Sequence, residues 1–294
     1  MLLQTVGLLL VLIVSRDILH ELFHPGGTGT MSRRIRRASW RVFGLYARGR
    51  GERLRMAGPV SIALIVGVWA SLTAFGWALF ILPYLPESFR YASPLVPGAN
   101  DGLAAALYVS LVSLSTLGFG DITATAVVPR VALVAEAFMG FMLLTAGISW
   151  TLSIRPVLTD RRSCALLIRS MLDLEKDGVP IRDRNPAEIR PVLQSIAAQI
   201  GRVRTHLMQS PETYYFRSPD ERVVLAGALP QLHEGVRAAA SAVDGEVRDS
   251  ARMVEVALDD LAAMIGHEFK LEGSSTEALL AGYAADHLAS RGDA

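Results

Sequence analysis

The sequence predicts an all-α membrane protein, and three observations lead to that fold class. Hydrophobic residues make up 51% of the chain and charged residues only 19%, which is more apolar surface than a soluble core can bury. Three apolar segments are long enough to cross a bilayer as helices. After Arg155 the pattern changes to apolar residues at helical spacing, typical of a soluble helical domain.

Each apolar segment reaches the length that a spanning helix needs, which is about 20 residues. Residues 56–85 contain no Asp, Glu or Lys, and residues 127–154 contain a single acid, Glu136. The first segment runs from Leu2 to about Phe23. It lacks the basic start and the small-residue cleavage site of a signal peptide, so we expect a retained membrane anchor.

The charged residues predict how these helices are oriented. Residues 24–56 carry nine arginines against one acid, whereas residues 86–103 contain one arginine and two acids. Basic residues collect in cytoplasmic loops, so we expect the arginine-rich loop inside the cell and the N-terminus outside. Everything after Arg155 is then cytoplasmic, and the protein is a multi-pass protein of the cell membrane. The lone Cys164 excludes an internal disulfide, which suits a reducing compartment.

The arginine-rich loop is best explained as an amphipathic helix lying on anionic lipid, because apolar residues are interleaved with its charges. A voltage sensor is less favoured, since its arginines would lie within an apolar span, and no nucleic-acid partner is expected. The arginines assigned to lipid contact are Arg33, Arg34, Arg36, Arg37 and Arg41.

The C-terminal part predicts a helical bundle of about five helices. Asn185 and Ser218 each precede a proline and an acid in the pattern that begins helices, and Ser274 with Glu277 repeats a capping box. We expect Pro230 to kink the third helix. The predicted helices span 160–176, 186–208, 219–241, 244–268 and 275–290. The predicted domains are an N-terminal transmembrane helix (1–25), a basic loop (26–56), a pore domain (57–155) and the cytoplasmic helical domain (156–294).

The motif that carries the function lies between the last two spans. Residues 103–115 are apolar but too short to cross the membrane, and Thr116-Leu117-Gly118-Phe119-Gly120-Asp121 follows them. Glycine at alternate positions lets consecutive residues adopt mirror-related backbone conformations, so that their carbonyls point the same way. Irregular backbone at membrane depth is tolerated only where it lines a polar path, and such carbonyls suit a dehydrated cation.

This motif and its setting resemble the potassium channel family, whose signature filter reads TVGYGD. The resemblance covers residues 57–154 and implies two transmembrane helices with a re-entrant pore helix between them, and a homotetramer. With the first apolar segment, we expect three transmembrane helices in each subunit. It implies that Thr116 supplies its hydroxyl and carbonyl to the permeant K⁺, and that Leu117, Gly118 and Phe119 supply further carbonyls, with Gly120 at the outer mouth. No cofactor and no enzymatic activity are implied.

Three residues of this chain depart from the family pattern, namely Leu117, Phe119 and Val112. Leu117 replaces the usual valine and Phe119 the usual tyrosine. Both keep the backbone carbonyl, so we expect selectivity to survive, although Phe119 lacks the hydroxyl that can bond the pore helix, which favours inactivation. A non-selective cation channel of the same fold is the alternative. Val112 stands where several members place an acid, so we expect Tyr108 to reach Asp121 and brace the filter. Gly140 follows Gly120 by twenty residues, and the resemblance implies a gating hinge at this position of the pore-lining helix. The alternative is a point of close helix packing. Glu136 needs a partner, either near the filter or at Arg130.

A second motif predicts a different class of protein. His20-Glu21-Leu22-Phe23-His24 matches the H-E-x-x-H spacing that places two histidines on one helix face to bind zinc. An intramembrane zinc metalloprotease is therefore the rival hypothesis, although no third ligand is evident. The favoured interpretation is a polar stripe with Arg16 and Asp17 that packs against other helices. A regulatory pH or metal site at His20 and His24 stays open.

Overall fold

The structure is a computed structural model of the chain, and it describes residues 1–23, 29–46, 57–93, 102–176, 179–218, 220–241 and 245–288. The chain divides into two compact units. The first combines Met1–Arg37 with Ser61–Leu152, and the second combines Ala38–Val60 with Ser153–Ala294.

Three long apolar helices carry the candidate membrane spans. They are α1 (Leu2–Phe23), α3 (Ala57–Ile81) and α5 (Val127–Lys176), and α2 (Thr30–Tyr46) lies between the first two in sequence. By length and composition each of the three can cross a membrane, as the sequence predicts. The described part of the chain is mostly helical, which agrees with an all-α membrane protein.

Helix α5 corrects one sequence prediction. A span ending near residue 154 and a separate helix over 160–176 were expected, but α5 is one helix of 50 residues with Pro156 in its interior. Proline removes one backbone hydrogen bond and usually ends or kinks a helix. Here the turns that follow bury Cys164, Ala165 and Ile168 completely in the core of the second unit, and that burial offsets the local cost.

The first unit packs α1 closely against α3 through two glycines. A Cβ atom at Gly76 would lie 2.8 Å from Val11 Cγ2 and 2.9 Å from the Gly7 carbonyl oxygen. Val11 and Val14 are buried on the same face of α1. Small residues at such crossings let helix backbones approach, which is the usual way helices associate in lipid.

Two acids of α1 hold the start of α2. Asp17 accepts hydrogen bonds from Ser32 Oγ at 3.0 Å and from Trp69 Nε1 on α3 at 3.1 Å, and Glu21 accepts one from the Gly29 backbone N–H at 2.6 Å. Carboxylates are stabilising at a helix N-terminus because the unpaired N–H groups there carry partial positive charge. Asp17 of the predicted polar stripe therefore connects α1 to α2 and to α3. The sequence predicted that the stripe packs against other helices but did not specify these partners.

A short antiparallel pair of strands accompanies the helices of the first unit. Strand β1 (Phe89–Tyr91) pairs with β2 (Ile122–Ala124) so that Phe89 lies opposite Ala124. An all-α expectation omits this pair, because three-residue strands are too short to show a sequence periodicity. The pairing ties the chain before the 116–121 motif to the chain directly after it.

The second unit is a helical bundle around one apolar core. It contains the C-terminal part of α5 with α6 (Pro186–Gln209), α7 (Leu225–Ala239), α8 (Gly245–Phe269) and α9 (Thr276–Leu288). Helical spacing predicts an apolar stripe at residues 189, 192, 193, 196, 197, 200, 203 and 207, which lies on α6. Val192 is half-buried against this core, and the other members are buried in it: Ile189, Leu193, Ile196, Ala197, Ile200, Val203 and Leu207.

Two of the three predicted helix starts need correction. Asn185 caps α6 as expected, accepting a hydrogen bond from Ala187 N at 3.0 Å. Asp220 instead caps a single 3-10 turn by accepting from Arg222 N, so α7 begins later than expected. The cap of α9 is Ser275 rather than Ser274, with its Oγ 3.2 Å from Ala278 N. Pro230 lies within α7, which continues through it.

His287 is a buried histidine on α9, in the helical bundle. His287 Nε2 lies 2.9 Å from the Tyr214 carbonyl oxygen and Nδ1 lies 3.1 Å from the Tyr283 carbonyl oxygen, with both tyrosine rings edge-on to the imidazole. Burial, and then the nearby Arg161 guanidinium, lower the pKa of His287 to about 3. The imidazole is therefore neutral at physiological pH.

Acidification is expected to loosen α9 in the full-length protein. The unfolded segment takes up a proton near pH 6.5 and the native His287 only near pH 3, so the free energy of unfolding falls between these values by up to about 1.4 kcal/mol per pH unit. Hydrogen exchange of α9 amides, corrected for intrinsic rates, should accelerate accordingly below pH 6.5. The His287→Gln variant should lose this dependence, and an equal pH response in both proteins would contradict the assignment.

Candidate functional site

The candidate site begins with a short apolar helix, α4 (Leu103–Leu114), between α3 and α5 in sequence. Its 12 residues extend about 18 Å, which is less than the thickness of a bilayer core. One face of α4 is buried, with Ala105, Ala106 and Val109 packed in a cluster that includes Ala78 and Ile81 of α3. The helix is therefore held inside the first unit rather than lying free at its surface.

The end of α4 leads directly into the predicted filter segment, Ser115–Asp121. Thr116 N donates to the Ser113 carbonyl at 2.9 Å, and Leu117 N donates to the Val112 carbonyl at 3.1 Å. These bonds close the last turn of α4. The partial negative charge of the helix C-terminus therefore lies at the start of the filter segment.

The backbone of the filter segment alternates in handedness. Thr116, Gly118 and Gly120 have φ values of +59°, +57° and +78°, whereas Leu117 and Phe119 lie outside the positive-φ region. The sequence predicted mirror-related conformations at the two glycines but not at Thr116. A β-branched residue with positive φ is an outlier of the kind that clusters at functional sites.

The filter segment is open to its surroundings. All residues from Ser115 to Gly120 are exposed, and the side chains of Leu117 and Phe119 are 61% and 64% exposed. Large apolar side chains left this open in one chain indicate a surface that another chain or lipid covers.

The structure brings Tyr108 and Asp121 together. Tyr108 Oη donates to Asp121 Oδ2 at 2.6 Å, and Asp121 Oδ1 accepts from the Ile122 backbone N–H at 3.0 Å. The Asp121 carbonyl also accepts from Ala92 N, next to β1. The Asp121 end of the filter segment is thus bonded to α4, to Ile122 of β2 and to Ala92 next to β1, and a bracing role for Tyr108 stays a prediction.

Gly140 lies within α5 and in direct contact with the end of α4. A Cβ atom at this position would collide with the carbonyl group of Leu114. The helix continues through Gly140 without a break. Close packing is therefore present in this conformation, whereas a hinge role stays a prediction.

The sequence did not identify the serines that hold α4 in place. Ser113 Oγ donates to the Leu133 carbonyl on α5 at 2.7 Å, and Ser110 contacts both Ala74 of α3 and Glu136 of α5. Glu136 is fully buried and bonds Ser110, near the filter, whereas Arg130 is exposed. A serine within an apolar helix has no sequence pattern that predicts which residue it will bond.

The predicted metal ligands are only partly described. His20 is exposed on the last turns of α1, and His24 lies outside the described residues. Within the described ranges, no group of three His, Cys, Asp or Glu side chains is placed to hold a metal ion. The H-E-x-x-H motif thus has no third ligand in this part of the structure.

The arginines assigned to lipid contact lie on α2. Arg33, Arg34 and Arg37 are exposed, and the side chains of Arg36 and Arg41 fall outside the described ones. Ser32 and Ser39 are buried on the same helix. Helix α2 thus has one buried and one basic face in its first turns.

Comparison with known proteins supports an ion channel domain. Residues 67–153 match a protein family described as ion channels, and this range contains most of α3, all of α4, the filter segment and the first half of α5. The chain is also similar to YdjJ of Bacillus subtilis (strain 168), described as an uncharacterized membrane protein. The two are 24% identical over 236 residues, covering 78% of this chain and 67% of the relative. No solved structure matches the chain. These matches support a membrane protein with ion channel function and favour a channel over an enzyme.

Proposed function

We propose that the protein is a subunit of a potassium-selective, homotetrameric channel that conducts K⁺ passively. The observation that carries this proposal is the alternation of backbone handedness at Thr116, Gly118 and Gly120. Such alternation turns successive carbonyl groups of one strand toward the same side. Four strands around an axis then replace the water shell of a dehydrated K⁺ with rings of oxygen atoms.

Four copies are required because one filter strand cannot surround an ion. The exposure of Leu117 and Phe119 in the single chain supports this assembly, since both belong to a segment that other subunits would cover. In the tetramer α4 acts as the pore helix. Its C-terminal end directs partial negative charge toward the cation path.

The test of this function is ion flux from liposomes that contain the purified full-length protein. A potassium gradient should drive flux that barium blocks, and a sodium gradient should drive little. Equal flux of both ions would instead establish a non-selective channel of the same fold and implicate Leu117 and Phe119. An absence of flux across both gradients and across a range of pH would count against conduction.

Removal of the Tyr108 hydroxyl is expected to destabilise the conducting filter. Tyr108→Phe deletes the 2.6 Å bond to Asp121 and preserves the ring, so inactivation should become several-fold faster. Single-channel recording of open probability measures the effect. Tyr108→Trp restores a donor and should recover part of the wild-type behaviour. Unchanged inactivation in Tyr108→Phe would show that the bond does not brace the filter.

We also propose that α2 binds anionic lipid on the cytoplasmic face of the cell membrane, with the C-terminal bundle in the cytoplasm. The support is the exposed basic face of α2 and the positive-inside distribution of arginine. No nucleic acid and no cofactor are part of the proposal.

Removing two of these charges should weaken lipid binding. Each arginine near the surface contributes about 1 kcal/mol, so Arg34→Gln with Arg37→Gln should lower the affinity for anionic lipid roughly thirtyfold. Native mass spectrometry of lipid retained by the detergent-solubilised protein measures this. The control changes two exposed arginines of the bundle, Arg237 and Arg252, to glutamine. Equal loss in both variants would contradict a specific role for α2.

A further inference from the structure

Glu136 occupies an unusual position for an acid. It lies in the first half of α5, within the candidate span, and its side chain is 0% exposed. It forms no ion pair with any described residue, and its Oε2 atom has no hydrogen-bond partner in that part of the chain. An ionised carboxylate in such a place is costly and is normally paired with a cation.

The Ser110 hydroxyl has one proton and two close oxygen neighbours, which limits how the Glu136 carboxyl group can be bonded. Ser110 Oγ lies 2.7 Å from the Ala74 carbonyl oxygen on α3 and is also in hydrogen-bond contact with Glu136 Oε1. A hydroxyl group has one proton to donate, and a backbone carbonyl can only accept. If Ser110 donates to Ala74, the second bond forms only when Glu136 supplies the proton.

The two contacts of Ser110 connect α4 to α3 and to α5. Ser110 reaches α3 through Ala74 and α5 through Glu136, and one turn further along α4 Ser113 donates to the Leu133 carbonyl of α5 at 2.7 Å. Leu114 follows directly and lies against Gly140. The position of the last turn of α4, and with it the start of the filter segment, therefore depends on these contacts.

We propose that Glu136 is a positioning residue for the filter: a protonated carboxylic acid that donates to Ser110 and holds α4 between α3 and α5. The inference rests on the proposed channel function, because it is the filter that α4 positions. Glu136 contacts α4 rather than the permeant ion, so its role is indirect. Polar bonds between helices in an apolar setting fix one arrangement where apolar packing alone allows several.

The decisive comparison is between glutamine and leucine at this position. Glu136→Gln keeps the shape and a donor, so its potassium flux and its preference for potassium over sodium should stay within about twofold of wild type. Glu136→Leu has similar size and no donor, and should reduce flux or selectivity about tenfold. Ser110→Ala should resemble Glu136→Leu. A Glu136→Gln variant as impaired as Glu136→Leu, or a Glu136→Leu variant like wild type, would overturn the proposal.

Two further measurements do not depend on conduction. Infrared difference spectra of wild type against Glu136→Gln should show the C=O stretch of a protonated carboxylic acid, and a carboxylate band in its place would refute the neutral acid. Hydrogen exchange of α4 amides should accelerate in Glu136→Leu and not in Glu136→Gln. These readouts test the positioning role even if the wild-type protein conducts no potassium, which separates its failure from failure of the proposed function.

Discussion

Gly118→Ala is expected to abolish potassium flux, with a reduction of at least roughly a hundredfold. Gly118 has a φ of +57°, and an L-residue held in the left-handed region costs about 1–2 kcal/mol. In the proposed tetramer, four copies bring the cost to about 4–8 kcal/mol, while each 1.4 kcal/mol changes a population tenfold. The strained strand would leave the conformation in which its carbonyls face the ion. Liposome flux with a potassium gradient measures the loss.

The matched control for this variant is Gly67→Ala on α3. A Cβ atom meets no heavy atom within 4 Å at Gly67 or at Gly118, so the two substitutions differ in backbone conformation rather than in crowding. Gly67 is helical, and alanine is the better helix former. Gly67→Ala should conduct like wild type. Comparable flux in both variants would contradict the carbonyl-lined filter.

The outline of both units followed from patterns that operate over short distances. Apolar length identified the three spans, Asn185 identified the start of α6, and the buried stripe on α6 matched its 3.6-residue periodicity. The alternating glycines gave the handedness of the filter backbone at Gly118 and Gly120. In each case the interaction or backbone preference that forms the structure involves residues close together in the chain, so the sequence pattern shows it directly.

Local capping patterns misplaced the helix starts predicted at Ser218 and Ser274. Contacts between residues distant in the chain could not be specified from the sequence. Proline at 156 favours a helix end locally, yet α5 continues because the turns beyond it are buried in the bundle. Asp17 bonds Trp69, 52 residues away, and Ser110 bonds Glu136, 26 residues away. The sequence marked Asp17 and Glu136 as polar groups that need partners, but tertiary packing alone decides which partner each one has.

Gly140→Ala is expected to impair the channel by a different route, through collision rather than backbone strain. The added Cβ would run into the carbonyl group of Leu114, which is backbone and cannot rotate away as a side chain can. Overpacking of a tight contact costs about 1–3 kcal/mol per site, and in the proposed tetramer each of the four subunits carries the same defect. Displacement of α4 from α5 would shift the start of the filter. We expect loss of potassium flux together with faster hydrogen exchange of α4 amides.

Gly147→Ala is the control, because it lies two turns further along the same helix and its Cβ would meet Val66 at an ordinary 3.9 Å. That variant should retain both flux and α4 protection. The paired readouts also separate the two roles considered for Gly140. A pure hinge predicts altered gating with α4 protection unchanged, since alanine stiffens the helix without moving its neighbour. Close packing predicts that protection and flux fall together, and loss of flux with intact protection would therefore assign Gly140 to gating.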